Sequence, residues 1–175
     1  MIDLYALTPR SLVEGLRRRL KKSLGQNFLI DENITRTIAT QVDRLHPGHI
    51  LEIGPGAGAL TLALSSLQRP ITVIEKDDDC ARYVERIFSE NVANFNVIHG
   101  DALNAPLPDF CSQSDARTVL ASNLPYNVAS QIYFRFIDED LPLAGMVLMF
   151  QREVALRFIA KPATPAYGLL SVLGQ

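Results

Sequence analysis

Two cysteines, three histidines and a small net charge leave little room for several common classes of protein in this 175-residue sequence. Cys80 and Cys111 stand far apart without a C-x-x-C, and His46, His49 and His99 complete no zinc-ligand spacing. Neither a structural metal nor a disulfide framework is therefore expected. No apolar segment approaches the roughly 18 residues that cross a bilayer, and the N-terminus lacks the apolar core of a signal peptide. Its Arg-rich start weakly resembles a mitochondrial presequence, but Asp3 and Glu14 oppose that reading. A cytoplasmic protein without membrane contact is expected. The net charge of -2 does not announce a nucleic-acid partner, yet its distribution does. Arg10, Arg17, Arg18, Arg19, Lys21 and Lys22 face the single acid Glu14, whereas Asp77, Asp78 and Asp79 cluster later. Residues 1–22 thus read as a basic arm, and 23–175 as one domain without repeats or low-complexity linkers.

What is present is organised around Ile50-Leu51-Glu52-Ile53-Gly54-Pro55-Gly56-Ala57-Gly58, an apolar run that stops in a loop with glycine at every second position. A helical pattern follows (Leu60, Leu62, Ala63, Leu64, Leu67), so the stretch reads as strand, tight turn, helix. Glycine there permits positive φ and lets a ligand approach the main chain without meeting a Cβ. Gly54, Gly56 and Ala59 also satisfy G-x-G-x-x-G/A, so at this point a nicotinamide or flavin site stays open.

Upstream, Leu12, Leu16 and Leu20 give a helix over 11–22 with a narrow apolar stripe and a basic remainder, either a solvated face or a phosphate-facing one. Asp31 caps a helix over 32–42. Strands are expected at 49–53, 71–75, 95–99, 118–121 and 146–150, alternating with helices. The run Met146-Val147-Leu148-Met149-Phe150 reads as a central strand covered on both faces, and the loop around Pro106 and Pro108 as solvent-exposed. The fold class is α/β: a Rossmann-like, mostly parallel, doubly wound sheet whose ligand sits beyond the carboxyl ends of the strands.

Polar residues cluster immediately after those strands. Glu75, ending the second, is placed to accept both hydroxyls of a ribose, and Asp101, ending the third, to accept from an adenine exocyclic amine. Asn123-Leu124-Pro125-Tyr126 follows the fourth and arbitrates between cofactors, because a hydride-transfer enzyme has no evident use for it. The N6 of adenine is a poor nucleophile because its lone pair is delocalised into the ring. Carbonyls of Asn123 and Leu124 accepting from N6–H2 would favour pyramidalisation; Pro125 would stiffen the loop, and Tyr126 would stack on an extruded base.

Together with Leu24-Gly25-Gln26-Asn27-Phe28-Leu29-Ile30-Asp31, Gly100-Asp101-Ala102-Leu103 and Tyr167-Gly168-Leu169-Leu170-Ser171-Val172, these motifs occur in one order. That set resembles the S-adenosylmethionine-dependent adenine-N6 methyltransferases, most closely the ribosomal RNA adenine dimethyltransferases that modify two adjacent adenosines of small-subunit rRNA. The resemblance implies a role in small-subunit biogenesis, a protein that is monomeric when whole, and no metal. It places Gln26, Asn27 and Leu29 at the methionine end of the cofactor and Gly54, Gly56 and Gly58 along its cleft. It places Glu75 at the ribose and Asp101 at the adenine amine, with Lys76 and Ala102 beside them among the cofactor-binding residues. Asn123 would pair with Asn27 around the cofactor amino group or the target N6. Arg17, Arg18, Arg19, Lys21 and Lys22 become candidate RNA contacts. Macrolide-resistance enzymes acting on large-subunit rRNA tend to carry isoleucine where this chain has Leu124, so Leu124 and Gly100-Asp101-Ala102-Leu103 favour the small-subunit enzymes; a large-subunit rRNA methylase, a DNA adenine methyltransferase and a non-catalytic assembly factor are the rivals. Family members continue into two more strands, an F-x-P-x-P segment with a second stacking Phe, and a helical C-terminal domain. The chain is accordingly expected to be truncated, to bind cofactor, and to methylate poorly.

Overall fold

The β-branched and leucine-rich run of β1 (His49–Ile53) is buried at all but its first residue, which places it at the centre of the sheet. In the computed structural model, residues 2–18, 28–107, 109–112, 116–124, 128–139 and 141–173 are described. Their strands are β1, β2 (Ile71–Glu75), β3 (Phe95–His99), β4 (Thr118–Asn123) and β5 (Gly145–Met149), all parallel, in the order β3-β2-β1-β4-β5. The order reverses between β1 and β4, and the crevice beyond the carboxyl ends of those two strands is where such sheets bind ligands.

Side chains alternate across the strands, so each strand feeds two cores. Ile50, Ile71, Val73, Val119 and Ala121 point to one face, which is covered by α1 (Pro9–Arg17), α2 (Glu32–Arg44), α3 (Ala59–Ser65) and α4 (Asp78–Phe88). Leu51, Ile53, Ile74 and Leu120 point to the other, against Ala129, Ile132 and Phe136 of α5 (Ala129–Asp138). Each fully buried aliphatic of this kind contributes roughly 1.5–3 kcal/mol. The helices α6 (Arg152–Phe158) and α7 (Leu169–Leu173) follow β5 and pack on each other, with the Ser171 hydroxyl donating to the carbonyl of Arg157 at 2.5 Å.

Helix starts follow local chemistry. Thr8 and Ser11 form a reciprocal capping box and Pro9 takes the first turn, so α1 begins two residues before the expected start and runs only to Arg17. Its Leu12, Val13 and Leu16 enter the larger core, and the hydroxyl of Tyr83 on α4 donates to the carbonyl of Leu12 at 2.9 Å. Arg19, Leu20, Lys21 and Lys22 lie outside the described residues. Asp31 caps α2 as expected, accepting from the N–H groups of Asn33 (2.8 Å) and Ile34 (3.3 Å).

Two expectations are corrected. The strand expected at the centre, β5, lies at the end of the sheet order beside β4 and is half-buried at every residue. Its continuous apolar character still serves both faces, with Val147 and Met149 against the larger core and Met146 and Leu148 against the smaller. The loop after β3 is not uniformly solvated either: Ala105 and Cys111 are buried in the smaller core, the latter inside a short 3-10 turn (Asp109–Ser112). Small side chains let that segment close against α5.

Candidate functional site

Three glycines carry the turn between β1 and α3, and each has positive φ: Gly54 (65°), Gly56 (56°) and Gly58 (85°). They differ in what surrounds them. A Cβ on Gly58 would lie 2.6 Å from Cε2 of Phe88, so that glycine is required by packing. On Gly56 a Cβ would sit 3.2 Å from the ring of Phe28. Among the described residues, nothing lies within 4 Å of where a Cβ on Gly54 would sit, so they leave the main chain there open beyond the end of β1. Hydrogen bonds from Gly54 N–H to Ile74 O (2.9 Å) and from Gly58 N–H to Pro55 O (2.8 Å) fix the loop.

Glu75 ends β2 and is 8% exposed. Its Oε2 accepts from the N–H of Gly56 at 2.9 Å and its Oε1 from the N–H of Asp77 at 2.9 Å. Burial pushes its carboxyl above the usual range, and those two amides pull it back. Each oxygen keeps a second lone pair with which to accept a hydroxyl. Beside it, the Lys76 ammonium donates to Asp101 Oδ2 at 2.7 Å, bridging the ends of β2 and β3. Asp101 Oδ1 accepts from the N–H of Leu103 at 3.0 Å. The Lys76 hydrogen bond, followed by that amide, holds the Asp101 carboxyl below its usual range. Ala102 is buried beneath this turn.

Across the switch point, Asn123 is the last residue of β4, half-buried and level with Met149 of β5. Leu124, 1% exposed, anchors the following loop in the smaller core. Leu29 is half-buried against the larger core, and Arg17 and Arg18 are exposed at the end of α1. Gln26, Asn27, Pro125, Tyr126, Arg19, Lys21 and Lys22 lie outside the described residues. The structure thus brings residues 54–58, Glu75, Lys76, Asp101 and Asn123 to the carboxyl edge of one sheet.

Glu52, which opens the glycine motif, is 1% exposed within β1 and accepts from the Thr61 hydroxyl at 2.7 Å. Burial pushes its carboxyl up to about 8, against the Thr61 hydrogen bond. Two other contributors, Ser122 and Arg135, escaped the sequence reading. Ser122 donates from Oγ to the carbonyl of Ile53 at 2.5 Å, tying β4 to β1 where the two strands diverge. Arg135 on α5 reaches the carbonyls of Ala102 and Ala105. Cys80 and Cys111 are buried free thiols whose ionisation is suppressed by burial, which suits packing and not nucleophilic chemistry. Among the described residues, no three His, Cys, Asp or Glu are grouped to hold a metal ion, and no helix is long and apolar enough to cross a membrane.

A parallel sheet of this order, a glycine turn after β1 and acids at or just past the ends of β2 and β3 define a Rossmann-like domain built to bind a nucleotide-type ligand. The comparisons narrow the class: the model of the ribosomal RNA adenine dimethylase family matches residues 17–175, and the chain belongs to that family. Ribosomal RNA small subunit methyltransferase A of Chlorobium phaeobacteroides is 42% identical over 156 residues, covering 89% of this chain and 56% of that protein. The corresponding protein of Geobacter metallireducens is 39% identical over 163 residues, covering 93% and 58%. Among solved structures, a dimethyladenosine transferase from Plasmodium falciparum superposes with a TM-score of 0.65 at 29% identity, over 81% of this chain and 50% of that one. The 23S rRNA methyltransferase ErmE gives 0.64 at 25% identity, over 85% and 55%. The chain spans somewhat over half the length of the curated relatives it matches.

Proposed function

We propose that this chain is the S-adenosylmethionine-binding part of an enzyme that transfers methyl groups to N6 of two adjacent adenosines in small-subunit rRNA. The observation that carries the reading is the position of Asn123 across the β1/β4 switch point from the open main chain at Gly54, with Glu75 and Asp101 on the neighbouring strands. The curated relatives bear small-subunit names, which favours that substrate over large-subunit rRNA.

The residues fit such a donor. Open space above Gly54 admits a ligand against the backbone, Glu75 offers two oxygens to ribose hydroxyls, and Asp101 offers a carboxylate to an adenine amine. Leu29, Gln26 and Asn27 would close the methionine end, and Lys76 and Ala102 the adenine side. When bound, the donor supplies a methyl group already activated by its sulfonium. The protein's part is then placement and hydrogen-bond acceptance. The Asn123 carboxamide and the Leu124 carbonyl accept from the two N6 protons, Tyr126 stacks on the extruded base, and Pro125 stiffens the loop between them. A neutral carboxamide suffices because the amine proton becomes acidic only once the methyl has arrived, and it leaves to water. Arg17, Arg18, Arg19, Lys21 and Lys22 would contact rRNA phosphates, and cytoplasmic ribosome assembly is the setting.

Calorimetry tests the donor assignment. Heat with S-adenosylmethionine and none with NAD is expected; binding of NAD without binding of the methyl donor would overturn it.

A further inference from the structure

We propose that Arg135 is a positioning residue that clamps the adenine side of the donor site to α5, the helix that follows the Asn123 loop. The inference rests on the reading of residues 100–105 as that adenine side. Arg135 is four-fifths withdrawn from solvent, its side chain 14% exposed. Its Nε donates to Glu139 Oε1 at 2.7 Å, one turn further along the same helix. With that edge of the guanidinium fixed, its Nη1 donates to the carbonyl of Ala102 and its Nη2 to the carbonyl of Ala105, the latter at 2.7 Å.

Those two carbonyls belong to a tight turn that is also closed by its own hydrogen bonds. The carbonyl of Asp101 accepts from the N–H groups of Asn104 (2.8 Å) and Ala105 (2.7 Å), and Asp101 Oδ1 from Leu103. Among the described residues the carbonyls of Ala102 and Ala105 accept from no other group, and the planar fork meets both in a fixed geometry that a lysine ammonium does not preset. Beneath the polar clamp, Ala102 and Ala105 pack in one cluster with Ile132 and Phe136 of α5 and with Leu124. The turn that aims Asp101 is therefore held by the same helix whose Ala129 and Ile132 pack in one cluster with Leu124, the residue after Asn123. The guanidinium also adds its charge to the field that keeps Asp101 ionised.

The test is calorimetric titration of S-adenosylhomocysteine into the chain and into Arg135→Ala, Arg135→Lys, Asp101→Ala and the Arg135→Ala/Asp101→Ala pair, with melting curves for each. Arg135→Ala should weaken binding about tenfold and Arg135→Lys by less. In the Asp101→Ala background the Arg135 substitution should change affinity less than twofold, because its effect passes through Asp101. A generic loss of helix stability would lower the melting temperature and leave affinity unchanged, or weaken it equally in both backgrounds; either result overturns the proposal. Should Arg135→Ala fail to fold, Arg135→Lys in the two backgrounds gives the same comparison. If the unsubstituted chain does not bind S-adenosylhomocysteine, the donor reading falls and the clamp with it; normal binding by Arg135→Ala removes the clamp alone.

Discussion

Replacing Gly58 and Gly54 by alanine, one at a time, separates folding from ligand binding within a single loop. Both positions have positive φ, which costs an L-residue about 1–2 kcal/mol. At Gly58 the new methyl also arrives 2.6 Å from the Phe88 ring and 3.3 Å from Cγ1 of Val84. Both neighbours are fully buried, so the ring cannot swing away, and overpacking adds about 1–3 kcal/mol. Lower entropy of the unfolded chain returns about 0.4–1 kcal/mol. Gly58→Ala should therefore destabilise by about 2–4 kcal/mol, lowering the melting temperature by roughly 5–15 °C. At Gly54 no described residue lies within 4 Å of the new methyl, so backbone strain is the main cost and the loss should be about 1 kcal/mol or less. Its methyl occupies the space assigned to the donor, however, and affinity for S-adenosylhomocysteine should fall at least tenfold. Urea denaturation and calorimetry on both variants give the two rankings. Equal destabilisation would refute the packing argument, and unimpaired binding by Gly54→Ala would refute the placement of the cleft.

Glu52→Gln probes the buried acid. The carboxyl has a folded value of about 8 against an ordinary 4.5, so the native state holds the proton that the unfolded chain releases. Its stability contribution is full below pH 4.5, declines as pH rises, and levels off near 8, a total on the order of 3–5 kcal/mol. Glutamine, with no proton to lose, should flatten the change in urea stability between pH 5 and pH 8; identical slopes would show that Glu52 stays charged. Glu75→Ala should weaken donor binding by about 1.5–3 kcal/mol, because it removes the acceptor for both the Gly56 amide and a ribose hydroxyl. Tyr83→Phe should cost about 1 kcal/mol in thermal unfolding, through loss of the bond to the Leu12 carbonyl. Neutralising Arg17 and Arg18 should lower rRNA affinity and flatten its dependence on salt, with donor affinity unchanged; an unaltered salt slope would make the arm a solvated surface.

The sheet was readable because its signals are local. β1, β2 and β3 fall at the expected residues, each a short apolar or β-branched run closed by a turn signal, and the three glycines adopt the expected positive φ. The start of α1 was not, because its capping box uses Thr8 and Ser11 in place of the commoner acid at the third position. An apolar run cannot by itself distinguish a central strand from an edge one, which is why β5 was misplaced. Glu75, Asp101 and Asn123 stood out because the topology of such sheets gathers strand ends. Arg135 and Ser122 carried no such mark, since their partners lie 30 or more positions away and only folding joins them.

The central claim is methylation of adenine N6, and it is tested most directly on undermethylated small ribosomal subunits. These are incubated with the protein and S-adenosylmethionine carrying an isotopically labelled methyl, and the rRNA is digested to nucleosides for mass spectrometry. The expected product is labelled N6,N6-dimethyladenosine, formed slowly by this chain and abolished by Asn123→Ala. Label on a different nucleoside, or undiminished dimethyladenosine from the Asn123→Ala protein, would contradict the assignment.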